Sequence, residues 1–434
     1  MRVERLTLDP DDSPQQAASR LRGKVQAGGE QVERTVAEIV AEVQAGGDQA
    51  LAEHTSRLDM KGAEPPPLLV SERELDAALE QTPLEVVAGL QVAIANVAQV
   101  ADAQVGADRT AVELPQGHSV TVRELPVSAA AVYAPGGRAA YPSTVAMGVV
   151  TARAAGVVDV AVCTPPTPGT PGGAHPAILA ACRLCGVQTV YRMGGAQAIA
   201  ALAYGTETVA RVETIVGPGN LYVQEAKRRL SHVVGIDGFA GPSDLMIVFG
   251  QDADPRLIAL DLLAQAEHGA GSLVAGVSAS VSALEAVQQA IEREARAWSQ
   301  LGPDACVLVQ TPDAQAAVAF ANAFAPEHLQ LIGAIEEALE PKVRTAGCLF
   351  VGSGAATAFG DYVAGSNHVL PTGGAARFAS ALSPRHFRRR MSVVRIGDQA
   401  AVKLARAAAP VARAEGFPLH AISMEARMRE DETQ

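Results

Sequence analysis

The sequence predicts an α/β fold, and two observations carry that expectation. From residue 119 onward, short runs rich in Val, Ala and Ile alternate with stretches of helical periodicity. The runs are apolar on both faces, as strands of a parallel sheet covered on both sides must be. They fall into two successive sets. The first comprises 129–134, 158–163, 187–192 and 212–216. The second comprises 245–249, 273–277, 306–310 and 348–351, separated by helical patterns near 254–268, 279–297 and 312–324. Two β-α-β systems in one chain of 434 residues suit two α/β domains with smaller extensions.

The segments before residue 119 read as helices. Ser13-Pro14-Gln15-Gln16 offers a Ser cap, Pro in the first turn and Gln at the third helical position. A second helix is expected over Val32–Val43, stopping near Gly46-Gly47. After the break at Pro65-Pro66-Pro67, Ser71 and Glu74 form a capping box, and one long helix is expected to about Ala103. The prolines and glycines of Thr164–Pro176 place that segment in a surface loop. The tail after about Ser383 reads as helical.

Composition narrows the functional classes. Hydrophobic residues make up 48% and charged ones 19%, enough apolar matter to bury a core. A formal charge of −12 disfavours general binding to nucleic acid or anionic membranes, and 4% aromatics disfavours a base-stacking platform. No run of about 18 uninterrupted apolar residues occurs, so no spanning helix is expected. The opening MRVERLTLDPDD has no apolar signal core. Five cysteines, Cys163, Cys182, Cys185, Cys306 and Cys348, are an odd and sparse set, read as reduced thiols of a cytoplasmic protein.

Several segments carry chemistry, each with a plainer reading beside it. In Ala264-Gln265-Ala266-Glu267-His268-Gly269, Gln265 and His268 are one helical turn apart and can begin a metal site; a polar helix end stopped by Gly269 has the same sequence. Pro326-Glu327-His328 sets a carboxylate beside an imidazole, two proton acceptors of different basicity; Pro followed by an acid is also a common helix start. Gly360-Asp361-Tyr362 and Ser366-Asn367-His368 lie among glycines, as a ligand-approaching loop or an ordinary surface loop would. Glu415 and His420 stand in a tail of scattered charge. Glycines follow predicted strands at Tyr133-Ala134-Pro135-Gly136-Gly137, at Gly194-Gly195-Ala196-Gln197 and at Gly217-Pro218-Gly219-Asn220. There backbone N–H groups can approach a dinucleotide, although none of the three reads G-x-G-x-x-G. Cys163, ending a strand, is a candidate nucleophile or a small core residue. The run Arg385–Arg390 is read as a solvated helix face.

Together the stretches VYAPGGRAAYPSTVAM, RMGGAQAIAALAYGT, ETIVGPGNLYVQEAK, GFAGPSDLMIV, LLAQAEHG, PEHLQL and GDYVAGSNHVLPTGG, with the closing Glu415 and His420, resemble the histidinol dehydrogenase family over about residues 25–428. The resemblance implies two related Rossmann-like α/β domains of the aldehyde-dehydrogenase kind, with small helical terminal extensions. The expected boundaries are an N-terminal helical arm at 1–24, a substrate- and metal-binding domain from 25–125 and 240–382, an NAD-binding domain at 126–239, and a C-terminal helical tail at 383–434. It implies one zinc per subunit on Gln265, His268, Asp361 and His420, with Mn²⁺ or Co²⁺ as substitutes for this hard donor set. Glu327 and His328 match the catalytic pair. Ser243, Gln265, His268, His328, Asp361, His368, Glu415 and His420 match substrate contacts, and Tyr133, Gln197 and Asn220 match contacts to NAD. The implied reaction oxidises L-histidinol to L-histidine with two NAD⁺, in a homodimer whose tails complete each other's sites. A related NAD-dependent dehydrogenase for another small alcohol and a zinc hydrolase are the competing readings.

Overall fold

The computed structural model describes residues 2–23, 29–136, 139–170, 173–238, 242–269, 271–298 and 305–428. Its contacts divide the chain into two compact units. One comprises residues 1–104 and 128–387, the other 105–127 and 388–434.

The first unit holds both expected sheets. The larger has six strands in the order Arg2–Thr7, Ala305–Gln310, Leu273–Ser278, Asp244–Phe249, His328–Ile332 and Cys348–Val351, every pair parallel. The smaller has five, in the order Thr189–Arg192, Asp159–Thr164, Ala129–Tyr133, Thr214–Val216 and Gly235–Ile236, again all parallel. Apolar residues fill both faces of the central strands: Asp244–Phe249 and Leu273–Ser278 are buried throughout, which is why they read as continuous runs rather than alternations. The α/β expectation and all eight predicted strand runs hold.

In this unit four expectations about elements change. Residues 2–7 form a strand, not part of a helical arm. Arg2, Glu4 and Arg5 mask it in the sequence, yet charges suit an edge strand; the helix Pro14–Arg22 follows, with no side-chain bond from Ser13. The helix over 32–43 runs from Glu30 to His54, broken at Gly47, whose φ of +53 only glycine takes readily. The capping box at Ser71 and Glu74 is present, but the helix it opens ends at Gln81, and a second runs over Leu84–Gln104 after Thr82-Pro83. Residues 328–332 form a central strand, where the acid after Pro326 had equally suited a helix start.

The helices between residues 30 and 104 pack on the helices flanking the five-stranded sheet, not on the six-stranded one assigned to them. Leu84–Gln104 is long and apolar enough to cross a membrane by length and composition. Leu90, Ala93, Val97 and Ala101 form its buried stripe, which lies on the helical segment 146–154.

The second unit is a three-stranded antiparallel sheet, ordered Arg388–Arg395, Ser119–Pro126, Arg109–Glu113, with a helical hairpin of Asp398–Ala414 and Pro418–Glu425. The tail is therefore not wholly helical. Within the arginine run, Arg385 lies in the 3₁₀ turn Pro384–Phe387 and Arg388–Arg390 open a strand, where Arg388 pairs with Asp108 and Glu124, and Arg390 with Glu124 at 2.7 Å. Arg413 and Glu425 clasp the hairpin through two bonds of 2.7 and 2.6 Å.

Candidate active site and cofactor cavity

Two sites emerge in the first unit, at opposite kinds of strand end. In the five-stranded sheet, successive strands step away from Ala129–Tyr133 in one direction and then, at Thr214–Val216, in the other. Such a reversal leaves a crevice beyond the carboxyl ends of the two strands, where parallel sheets bind ligands. A cavity of about 540 Å³ lies there, lined by Tyr133, Pro135, Gly136, Gly195, Gln197 and Asn220 among others. All three expected NAD contacts thus line one cavity, and all three glycine clusters contribute to its wall. Gly137, expected in the first cluster, lies outside the described residues.

The wall is built tightly. Gly217 has φ +114, and a Cβ there would fall 2.2 Å from the Tyr133 carbonyl oxygen, so only glycine fits. Lys227 and Asp237 form a buried ion pair that grips both backbone polar groups of Gly217: Lys227 Nζ donates to the Gly217 carbonyl at 3.0 Å, and the Gly217 N–H donates to Asp237 Oδ2 at 2.7 Å. Asn220 caps the helix Leu221–Leu230, its Oδ1 accepting from Tyr222 and Val223 at 3.0 and 3.1 Å. With the oxygen so engaged, its NH₂ is the group left for a ligand.

The second site is at the amino ends of strands in the six-stranded sheet. Asp244 opens one strand; Glu327 immediately precedes its parallel neighbour, which His328 opens. Glu327 is 6% exposed and His328 2%. Glu327 Oε2 accepts from Ser243 Oγ at 2.5 Å and from the Asp244 N–H at 3.0 Å, while the Glu327 N–H donates to Asp244 Oδ1 at 2.6 Å. His328 Nδ1 lies 3.3 Å from the Asp244 carbonyl oxygen, an acceptor only, so Nδ1 carries the proton. Nε2 then faces Asp361 Oδ1 at 3.6 Å.

Electrostatics follow from this crowding. Burial raises Glu327, opposed by His328 and the Ser243 bond. Burial and the adjacent Glu327 raise Asp244 to about 7. Burial opposes the imidazolium of His328, but Glu327 and Asp361 outweigh it and lift the ring to about 9. Asp361 has the reverse balance: burial opposes its charge, and bonding and attraction to His328 hold it below the usual carboxylate range.

Asp361 comes from the short helix Thr357–Tyr362, and His368 holds it from behind. His368 Nδ1 donates to the Asp361 carbonyl at 2.8 Å, and its Nε2 accepts from the Thr144 hydroxyl at 3.0 Å. Burial lowers this ring's pKa, which suits the neutral form. Asn96 supports the same loop through a 2.7 Å bond to the Val363 carbonyl. Gln265, in the last turn of Pro255–Ala266, bonds the Ser243 hydroxyl. His268 follows in the turn that Gly269 ends, its Nε2 3.9 Å from Asp361 Oδ2.

Gln265, His268 and Asp361, three of the four expected metal ligands, belong to this unit and converge around Ser243 and His328. Two bonds of roughly 2.1 Å span at most about 4.2 Å, so the gap between His268 and Asp361 fits one shared ion. Among the described residues no group of three or more His, Cys, Asp or Glu side chains can hold a metal ion; the third donor here is an amide. His420 and Glu415 lie in the second unit, where both are exposed and line one cavity of about 410 Å³ with Val411, Phe417 and Met424.

The cofactor cavity and the catalytic cluster are joined by one segment. Tyr141 lines the cavity and interacts with Tyr362 beside Asp361, and Thr144, three residues on, holds His368. Sequence reasoning missed Asp244 and the cavity residue Asp59. Asp244 had a signal, a carboxylate opening an apolar strand; Asp59 had none. Cys163 is fully buried, and burial drives its thiol far up, so it is a core residue rather than a nucleophile.

Residues 23–428 match the histidinol dehydrogenase family. The chain belongs to that family. A histidinol dehydrogenase of Rhizobium meliloti is 41% identical over 409 residues, covering 92% of each chain. One of Brucella suis is 40% identical over 430 residues, covering 97% of this chain and 98% of the relative. The crystal structure of histidinol dehydrogenase from Elizabethkingia anophelis superposes with a TM-score of 0.90 at 29% identity, over 98% of each chain. Histidinol dehydrogenases are NAD-dependent oxidoreductases of the final step of histidine biosynthesis, and family membership places this chain among them. The hydrolase reading and the reading as a dehydrogenase of another alcohol are not favoured.

Proposed function

We propose that the protein oxidises L-histidinol to L-histidine through the aldehyde, reducing two NAD⁺, with one zinc per subunit. The observation that carries this reading is the buried Glu327–His328 pair beside Gln265, His268 and Asp361, linked by Tyr141 and Thr144 to a cavity at the switch point of the five-stranded sheet.

The donor set of amide, imidazole and carboxylate oxygen or nitrogen suits zinc, and Mn²⁺ or Co²⁺ as substitutes. When bound, zinc orients the substrate's imidazole and amine, and NAD⁺ accepts one hydride in each oxidation. His328 takes the alcohol proton at Nε2, the nitrogen that the Asp244 carbonyl leaves free. Glu327 activates the water that adds to the aldehyde, and His328 takes the second proton from the hydrate. Ser243 aligns Glu327 and Gln265, and His368 fixes Asp361.

Glu415 and His420 act in the partner's site: Glu415 on a cationic group of the substrate, His420 on the metal. Phe417, Leu419 and Ile422 beside them are exposed apolar side chains, as a surface awaiting a second subunit presents. A homodimer with two identical shared sites follows. Five unpaired cysteines accord with a cytoplasmic location. The reading is tested by NADH absorbance with and without L-histidinol: NADH formed only with substrate supports it, and none with metal and NAD⁺ present refutes it.

A further inference from the structure

Asp59 ends the segment Thr55–Asp59, a π-helical turn that continues the helix Glu30–His54. Such turns re-aim side chains and recur at functional sites. Its carboxylate lines the cofactor cavity and is the only charged group among the described lining residues. It receives the Gly194 N–H and, at 3.0 Å, the side-chain amide of Gln197.

That second bond fixes a polarity. An ionised carboxylate only accepts, so Gln197 must turn its NH₂ toward Asp59 and its Oε1 away. Gln197 is fully buried, and its Oε1 has no hydrogen-bond partner. The oxygen lies against Gly195, where a Cβ would come within 2.5 Å of it. The Gly195 N–H is meanwhile taken by the Tyr133 hydroxyl at 3.2 Å. A buried bare acceptor in a ligand cavity is a group waiting for a donor.

We propose that Asp59 is a positioning residue for the dinucleotide: it orients the Gln197 amide so that a carbonyl oxygen, not an NH₂ group, takes a hydrogen bond from the bound cofactor. The matching group on the ligand is an N–H or O–H donor, such as a carboxamide, an amino group or a ribose hydroxyl. The inference rests on the reading of this cavity as the NAD site. It predicts a pH signature as well. Burial raises Asp59 to about 6. Protonated Asp59 can donate, which frees Gln197 to reverse, so affinity for NAD⁺ is full above about pH 6 and falls as pH drops through it. The other titratable groups lining the cavity are the phenols of Tyr133, Tyr141 and Tyr222.

The test is NAD⁺ titration, without substrate, of the full-length wild type, Asp59→Asn and Gln197→Ala, one pH unit above and one below about 6. Asn at 59 keeps an acceptor for Gly194 but turns an NH₂ toward Gln197, reversing its amide. Above pH 6, both variants should bind NAD⁺ roughly tenfold more weakly, the loss of about one hydrogen bond. Wild-type affinity should fall at the lower pH while that of Asp59→Asn stays flat. If Gln197→Ala is weakened and Asp59→Asn is not, the role of Asp59 is refuted and the cavity reading stands. If neither is weakened, the cavity reading fails as well. A weakened Asp59→Asn that keeps the wild-type pH response means a merely structural disturbance and overturns the proposal. Should the Asn variant fold poorly, the wild type alone decides, since pH-independent affinity contradicts the proposal.

Discussion

Asp244 and Glu327 each hold the other's backbone: the Asp244 N–H donates to Glu327 Oε2, and the Glu327 N–H donates to Asp244 Oδ1. The exchange locks two parallel strands at their amino ends and aims Glu327 at the same height as His328. It also keeps two carboxylates close together in the core, each raising the other's affinity for a proton. Asp244→Asn retains the acceptor for the Glu327 N–H but removes the like charge. We predict a folded variant in which Glu327 is a weaker base, with the aldehyde oxidation slowed more than the alcohol oxidation. Comparing rates on histidinol and on its aldehyde checks this, and equal slowing on both would argue against it.

Metal affinity should be separable from NAD affinity, because their residues sit on different sheets. His268→Asn removes a proposed ligand and should weaken zinc affinity by more than the roughly 10–100-fold that a supporting residue costs. His368→Asn, which loosens Asp361 from behind, should fall within that 10–100-fold range. Metal analysis and NAD⁺ titration of both proteins make the comparison. Loss of NAD⁺ binding in parallel with zinc would contradict the separation.

The Lys227–Asp237 pair offers a cleaner stability test. Lys227→Met strands a buried Asp237 and should cost about 3–5 kcal/mol, read by denaturant unfolding. Adding Asp237→Leu should recover most of that stability, since no charge is then left unpaired. The double variant should nonetheless have a raised KM for NAD⁺, because the Gly217 N–H and carbonyl both lose their partners.

Much of this was legible in the sequence, for identifiable reasons. Seven mostly buried strands announced themselves because burial on both faces demands unbroken apolar runs, and the partly buried edge strand Cys348–Val351 kept an apolar run as well. His328–Ile332 did not, since five residues after a Pro-Glu step are too few to fix a period. Arg2–Thr7 was hidden by charges that an edge strand tolerates. The candidate site residues were named one by one from long distinctive motifs, through the family resemblance those motifs carry. Asp59 was not, because its importance arises only where the fold lays a distant helix end against Gln197.

Glu74 links local capping to tertiary structure. It closes the capping box with Ser71 and binds Arg192, which also ties the Pro67 and Leu69 carbonyls. Burial opposes its charge, but the bonds from Arg192 and Ser71 prevail and bring it down to about 2. A depressed carboxylate stabilises the fold above its unfolded pKa, near ~4.3, and that contribution fades as pH falls toward about 2. Because the side chain is 37% exposed, solvent screening limits the effect. Glu74→Gln should cost about 1–2 kcal/mol at neutral pH and almost nothing near pH 2. A pH-independent difference in unfolding would contradict the assignment.

The proposed shared-site dimer has a direct genetic arithmetic. His328→Asn and His420→Asn should each be inactive. Unfolded, mixed equally and refolded together, random pairing puts both lesions in one site of each mixed dimer and none in the other, restoring about a quarter of wild-type activity. If His420 served its own chain, activity would stay at background.

The division of labour between Glu327 and His328 is the centre of the account, and counting NADH from a limiting amount of histidinol tests it most directly. Wild-type protein should yield two NADH per histidinol. Glu327→Gln should yield one and then stall, since His328 still serves the first oxidation while water activation is lost. Two NADH from the variant, or equal defects on histidinol and on its aldehyde, would contradict it.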